Sequence, residues 1–213
     1  MKNLLFFLVI GLSLGSCAQA ASDEITQKDP AHLDSLQTAY FASGCFWCVE
    51  AVFESVEGVE EAVSGYAGGE IENPTYQQVS SGRTRHAEAV KVYYDSSKVS
   101  YETLVEVFFN SHDPSTKDAQ GPDHGPQYRS VAFFQTDEEK AIIEAKIKHY
   151  KNAGTFSKIT TEVTELKKFY RAEEYHQDFE RKNPNQGYIQ AVSIPRLNKF
   201  KAKMPEVLKA GGH

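Results

Sequence analysis

Cysteine is scarce in this chain, with three among 213 residues. That is too few for a disulfide-rich scaffold, and no second Cys or His pair stands at the close spacing a zinc site needs. No internal repeat and no low-complexity run is present, which sets aside solenoids and repetitive arrays. Beyond Cys17 no stretch is long and apolar enough to form a membrane helix. Basic residues are in the minority: 23 Lys and Arg face 29 Asp and Glu, for a formal charge of −6. A mildly acidic surface argues against nucleic acid as a partner. The glycine-rich stretch Gly65-Tyr66-Ala67-Gly68-Gly69 lacks the Gly-Lys-Ser/Thr ending of a phosphate loop, which argues against nucleotide binding.

What is present begins with an address. One positive charge, Lys2, precedes an apolar run from Leu4 to Leu12 that ends in small residues, the form of an export signal. Leu14-Gly15-Ser16-Cys17 resembles a bacterial lipobox, with cleavage before Cys17 and lipid on its thiol. An ordinary signal cut after Ala18-Gln19-Ala20 is the alternative, and either one exports the protein. The expected organisation is a signal peptide at 1–16, a lipidated N-terminus and flexible tether at 17–37, and one domain at 38–213 with an irregular C-terminal tail. The expected location is the periplasmic side of a membrane, held by the N-terminal lipid.

With Cys17 given to lipid, Cys45 and Cys48 remain, separated by Phe46-Trp47 and preceded by Gly44. Val49, Val52, Phe53 and Val56 form one helical stripe, so a helix begins at Cys45 or Phe46 and stops at Gly58. A thiol at a helix N-terminus feels the dipole and unpaired N–H groups, which favours a Cys45 thiolate. Cβ atoms at i and i+3 lie about 5–6 Å apart, whereas a disulfide wants about 3.5–4.5 Å. Bridging therefore needs local tightening, and the bond should be labile. So short a loop constrains the unfolded chain little. Redox catalysis is the first reading, and stapling or simple core packing the alternatives. Phe46 and Trp47 read as core on composition, with an apolar wall beside the sulfur as the other option.

Along the rest of the chain, Val59–Ser64 reads as a strand, Gly65–Gly69 as a turn and Tyr76–Ser80 as a helical turn behind Pro74. His86–Tyr94 reads as a strand with Val90, Val92 and Tyr94 on one face, and Glu88 shares their parity. A carboxylate on an apolar face is unexpected. Buried without a cation it would hold its proton near neutral pH and could serve as a general acid; pairing with Arg83 or Arg85 is the alternative. Ser100 caps a helix, Ser115–Gln127 is a polar loop, and Tyr128–Phe134 is a strand. Thr136 and Glu139 form a capping box for a helix ending at Gly154. A strand follows through Ile159, Thr161 and Val163, then a helix at Glu173–Arg181, and from Gln186 onward irregular chain. Alternating helices and strands indicate α/β or α+β. Tyr66, Tyr76, Tyr128 and the Asp123-His124 pair lie at turns or loops and, taken singly, read as ordinary residues.

Six stretches then fall into one register: Gly44-Cys45-Phe46-Trp47, Ser64-Gly65-Tyr66-Ala67-Gly68-Gly69, Pro74-Thr75-Tyr76, Gly82-x-Thr84-x-His86-Ala87-Glu88, His112-Asp113-Pro114 and Asp123-His124-Gly125-x-Gln127-Tyr128-Arg129-Ser130. Together they resemble the A-type peptide methionine sulfoxide reductase family over about residues 38 to 195. The resemblance implies that family's α/β plait (α+β plait), a two-layer sandwich related to ferredoxin-like folds. It implies reduction of methionine-S-sulfoxide, protein-bound and free, with no metal or organic cofactor and a thioredoxin-like external reductant. By position, Cys45 matches the nucleophile, Phe46 and Trp47 the aromatic wall around the substrate methyl group, and Glu88 the acid that protonates the sulfoxide oxygen. Tyr76 and Tyr128 match its hydrogen-bonding companions, and Asp123 a further site residue. Relatives usually carry glycine where Cys48 stands, and many hold resolving cysteines in a glycine-rich tail; this tail, Lys209-Ala210-Gly211-Gly212-His213, has none. Resolution of the Cys45 sulfenic acid is therefore expected of Cys48. The competing readings are a general thiol–disulfide oxidoreductase using Cys45 and Cys48, and a lipid-anchored binding module. Spacing leaves open whether Tyr175 and His176 reach the site. A monomer is the expected state.

Overall fold

The computed structural model describes residues 30–210. The expected signal peptide, Cys17 and most of the tether lie outside the described residues. In chain order the elements are α1 (Pro30–Leu33), β1 (Gln37–Ser43), α2 (Phe46–Glu54), β2 (Val59–Ala67), α3 (Tyr76–Ser80), β3 (Ala87–Tyr94), α4 (Tyr101–Asn110), β4 (Ala119–Gln120), β5 (Asp123–His124), β6 (Ser130–Phe134), α5 (Asp137–Asn152), β7 (Glu162–Glu165), β8 (Phe169–Arg171), α6 (Phe179–Lys182) and α7 (Ile194–Lys203).

The main sheet has the order β7-β6-β1-β3-β2-β8. Its centre, β6-β1-β3-β2, is antiparallel throughout. With α2 linking β1 to β2 and α4 linking β3 to β6, it forms the βαββαβ plait of ferredoxin-like folds. β7 adds to one edge in parallel and β8 to the other antiparallel. Alternation sorts the side chains. Phe41 of β1 faces the helices, with its ring 5.1 Å from Phe53 of α2 and 5.1 Å from Phe108 of α4. Tyr40 and Ala42 point the other way into a smaller cluster with Ala67, Ala87, Ala89, Val131 and Phe133, covered by Leu166 and Phe169. Burial on both faces explains why the central strands carry so few polar residues.

Several sequence-based expectations need correction. The tether ends early: Pro30–Leu33 is a helical turn and Gln37 already pairs in β1. Gly65–Ala67 is strand, because that segment pairs with β3 on one side and with the unforeseen β8 on the other. Gly65 has no room for a side chain, since a Cβ would lie 2.2 Å from the Phe169 ring. The polar loop contains the β4–β5 hairpin. Tyr128 belongs to a 3₁₀ turn, and its strand begins at Ser130. The strand expected around Ile159 is displaced to Glu162–Glu165, as Thr160 is tied to Pro114 and Thr116. Thr136 caps α5, but the Glu139 carboxylate reaches back to the Gln135 N–H. The helix expected at Glu173–Arg181 breaks at Asp178, which adopts φ 55°. From Ile189 the chain is not irregular: a π-helical turn, Ile189–Ser193, runs into α7. Pro195 follows closely on the π-helical turn, inside a helix that runs unbroken into α7, and the wider turn accommodates its missing N–H.

Candidate active site

β1 delivers the chain to Gly44, which turns it into α2 at φ +93°; a Cβ there would meet Gln120 Cβ at 2.7 Å. Cys45 is the N-cap of α2. Its carbonyl accepts from the Cys48 N–H at 3.2 Å and the Val49 N–H at 3.3 Å. The former is a 3₁₀-type bond, the kind that tightens the first turn of a helix. Both thiols are free and buried, and each feels the other's charge.

Glu88 enters from β3 on the face its parity indicated, only 1 % exposed. Its Oε2 accepts the Phe46 N–H at 3.1 Å, one of the orphan donors at the start of α2. That N–H, and neither Arg83 nor Arg85, is its partner. Burial drives the carboxyl up to about 8, and the Phe46 N–H offsets this only in part. Glu88 therefore holds a proton at neutral pH.

An aromatic cage closes over these groups. The Phe46 ring lies 5.9 Å from Tyr66, 6.4 Å from Tyr76 and 4.9 Å from His176. Phe46 is fully buried, whereas Trp47 is half-buried and stacks on Phe179 at 3.8 Å. The Trp47 indole donates to His176 Nδ1 at 3.2 Å. His176 thus carries its hydrogen on Nε2, which is buried and unpartnered. Tyr175 lies tilted against it, ring centroids 4.1 Å apart, and is 61 % exposed. Tyr76 and Tyr128 are half-buried and feel both Glu88 and Cys45; burial first, then Glu88, pushes the Tyr76 hydroxyl up to about 12 and raises Tyr128 as well. Both remain hydrogen-bond donors at neutral pH.

The expected site residues thus converge, but much of what holds them was not foreseen. Asp123 accepts from the Tyr188 hydroxyl at 2.6 Å, and that same oxygen lies 3.9 Å from Cys48 Sγ. Arg196 donates to Ser43 O at 2.9 Å and Ser111 O at 2.8 Å, behind the Gly44 turn. Glu173 accepts from the Tyr66 hydroxyl at 2.7 Å and the Tyr76 N–H at 2.8 Å. Gln177 bonds both the N–H and the carbonyl of Ser64 at 3.0 Å. Glu50, buried on α2, accepts from the Ser64 hydroxyl and the Asp178 N–H, and burial pushes it well up. Carboxyl oxygens of Glu50, Glu54 and Asp178 lie within 4.8 Å of one another. Glu50 is committed to its two donors and Asp178 to Arg181 and Lys182, so this cluster is internally satisfied. One signal could have revealed the C-terminal contribution: Ile189, Ser193, Leu197, Phe200 and Met204 recur at helical spacing.

One electrostatic expectation is overturned. The helix terminus does not make Cys45 the thiolate of the resting pair. Burial pushes its thiol well up, the neighbouring Cys48 and Glu88 act in the same direction, and the Trp47 N–H opposes them weakly. Cys48 moves the other way, drawn down by its neighbour Cys45 and by the Arg196 guanidinium against the cost of burial, while the Tyr188 and Ser193 hydroxyls give their hydrogens to Asp123 and Glu180. The two thiols titrate as a coupled pair.

A family model described as peptide methionine sulfoxide reductase matches residues 37–208. Peptide methionine sulfoxide reductase MsrA 1 of Rhodopirellula baltica is 48% identical over 180 residues, 83% of this chain and 91% of the relative. MsrA of Trichodesmium erythraeum is 49% identical over 176 residues, 82% of this chain and 99% of the relative. Among solved structures, reduced Mxr1 of Saccharomyces cerevisiae aligns with TM-score 0.68 at 33% identity, covering 75% of this chain and 91% of that one. Methionine sulfoxide reductase A of Corynebacterium diphtheriae aligns with TM-score 0.64 at 35% identity, covering 70% of this chain and 76% of that one.

Proposed function

The chain belongs to the peptide methionine sulfoxide reductase family, and from that premise we propose that Cys45 is its nucleophile, Glu88 its general acid and Cys48 its resolving thiol. The reaction is the thiol-dependent reduction of methionine-S-sulfoxide to methionine. The Cys45 sulfur attacks the sulfoxide sulfur while Glu88, with the Tyr76 and Tyr128 hydroxyls, stabilises and protonates the oxygen. Methionine leaves and Cys45 becomes a sulfenic acid. Cys48 condenses with it, releasing water and forming the Cys45–Cys48 disulfide, which a thioredoxin-like dithiol reduces. Phe46 and Trp47 hold the methyl and thioether groups. Asp123 acts through Tyr188 at the edge of the site. No metal or organic cofactor takes part in these steps.

The observation that carries this reading is the meeting of Cys45 and a protonated Glu88 at one helix N-terminus inside an aromatic cage. A buried acid also serves disulfide exchange by protonating a leaving thiolate, so it is the substrate that separates this reading from a general thiol–disulfide oxidoreductase. The test is methionine formed from each epimer of a blocked methionine sulfoxide with dithiothreitol as reductant. Turnover confined to the S epimer is expected, and none with it would sink the reading. Thioredoxin-driven cycling that survives in Cys48→Ser would remove Cys48 from the resolving role.

We further propose that the protein is exported and held in the cell envelope by lipid on Cys17, acting there as a monomer on oxidised proteins and free methionine sulfoxide. The Leu4–Leu12 run and the Leu14–Cys17 lipobox support this. Incorporation of labelled palmitate, abolished in Cys17→Ala, is the expected result.

A further inference from the structure

Methionine sulfoxide has a short side chain, so a polypeptide that carries it must rest its main chain on the rim of the cage. That rim includes one aromatic ring the reaction does not use. Tyr175 is 61 % exposed, and with Ile71 it makes up the exposed large hydrophobic side chains among the described residues. A lone exposed aromatic is ordinary on a protein surface; the setting of this one is not. Its ring lies 4.1 Å from that of His176, which in turn lies 4.4 Å from Tyr76 and 4.9 Å from Phe46. His176 and Phe46 are each 1 % exposed. Phe46, His176 and Tyr175 therefore run as a row of rings from the buried interior of the cage out to solvent. The backbone beneath Tyr175 is pinned on both sides. Glu173 accepts from the Tyr66 hydroxyl and the Tyr76 N–H. The His176 N–H closes a turn on the Glu173 carbonyl at 2.9 Å, and the His176 ring accepts from Trp47. Gln177 bonds Ser64 and the Ala172 carbonyl. Tyr175 is thus presented by a braced turn with most of its surface left to solvent. An aromatic side chain held ready in this way gains contact area at small entropic cost.

We propose that Tyr175 is a subsite for polypeptide substrates, packing against an apolar side chain that flanks the methionine sulfoxide. This deepens the proposed function and rests on it, since it names the class of sulfoxide that the site takes best. The neighbouring acids are already committed: Glu174 is paired with Arg171 at 2.7 Å, and Glu173 with Tyr66 and Tyr76. The recognition left to this position is therefore apolar. Methionine is mostly buried among apolar neighbours, and oxidation makes its side chain polar and disrupts such a core. A damaged chain thus exposes the sulfoxide together with apolar side chains. Tyr175 takes up one of those neighbours, whereas free methionine sulfoxide has none to offer. The phenol suits both states, apolar in its body and wet at its hydroxyl.

The test compares kcat/KM of the intact protein, with dithiothreitol, on three S-epimer substrates. They are blocked methionine sulfoxide, a short peptide with leucine on both sides of the sulfoxide, and the same peptide with glycine on both sides. The parent is expected to favour the leucine-flanked peptide. Tyr175→Ala should lower kcat/KM about five-fold on that peptide, through KM, and by less than about two-fold on the other two. Tyr175→Phe keeps the ring and should stay within about two-fold of the parent on all three. A preference for leucine that persists in Tyr175→Ala overturns the proposal. So does an equal loss on all three substrates, which would make Tyr175 a brace for His176 and Tyr76. A Tyr175→Phe variant that falls as far as Tyr175→Ala overturns it too, by moving recognition to the hydroxyl. Absence of turnover by the parent on every substrate would overturn the reductase reading itself, and the proposal with it.

Discussion

The two walls of the site are built in opposite ways. On the sheet side, Cys45, Phe46 and Glu88 sit on α2 and β3, close to one another through a single helix terminus and dependent on regular secondary structure for their aim. On the C-terminal side, the segment from Glu173 to Arg196 carries little of the expected chemistry but reaches almost every group that has some. Glu173 holds Tyr66 and Tyr76, His176 and Phe179 hold Trp47, Tyr188 holds Asp123, and Arg196 backs the Gly44 turn. The first wall supplies reacting atoms, and the second sets where they point. Substitutions on the two walls should therefore fail differently, the first in kcat and the second in binding or stability.

The largest effect belongs to the sheet side. Cys45→Ser should reduce methionine formation to background, measured with dithiothreitol so that recycling is not limiting. Glu88→Gln should lower kcat roughly 10²–10⁴-fold, the usual share of a general acid. The sign of the pH dependence follows from the raised carboxyl. Glu88 is protonated below about 8 and loses its proton as pH rises through that value, so the parent rate should fall on the alkaline side. In Glu88→Gln that alkaline fall should vanish. An unchanged alkaline fall in the variant would remove Glu88 from the acid role.

The same contrast governs what could be read from the sequence. Glu88 was legible because period-two alternation is a local property of an eight-residue strand, and a carboxylate on its apolar face breaks the pattern. The start of α2 was legible from its stripe and from Gly44. The C-terminal wall was not, because its conformation is fixed by tertiary contacts. Asp178 leaves the helix at φ 55° with its N–H on Glu50, a residue 128 positions away. β8 exists because it pairs with an edge of β2 that Gly65 leaves open. Tyr188 and Arg196 lie on a π-to-α segment that reads as irregular because Gly187 and Pro195 punctuate it. The helix-terminus argument for a Cys45 thiolate failed for a related reason: it weighed a local dipole and had no means of weighing burial.

An intermediate effect tests the second wall directly. Phe179→Ala removes the face that Trp47 stacks on at 3.8 Å. Such a pair is worth roughly 0.5–1.5 kcal/mol, so KM for the S epimer should rise about two- to ten-fold with kcat little changed. Trp47 is the only tryptophan in the chain, so its emission should shift as the stack opens. A fall in kcat with KM unchanged would mean that the C-terminal wall takes part in chemistry.

The smallest effect sharpens the comparison most, because it uses a carboxyl with the same burial as Glu88. Glu50 and Glu88 are both buried and both raised by that burial. Glu88 accepts one N–H, leaving its other oxygen for a substrate, whereas Glu50 spends both oxygens on Ser64 and Asp178. Glu50→Gln should therefore cost about 1 kcal/mol of stability, the worth of one imperfectly replaced hydrogen bond, and leave kcat near that of the parent. Because Glu50 is raised above its ordinary 4.5, its contribution is fully present below that pH and declines as pH rises through the folded value. The parent loses stability as pH rises above 4.5 and the uncharged variant does not, so the parent's advantage in urea midpoint should be largest in mild acid, then shrink and reverse sign towards alkaline pH. A large loss of kcat at an unchanged midpoint would put Glu50 with Glu88 on the chemical side and break the division between the two walls.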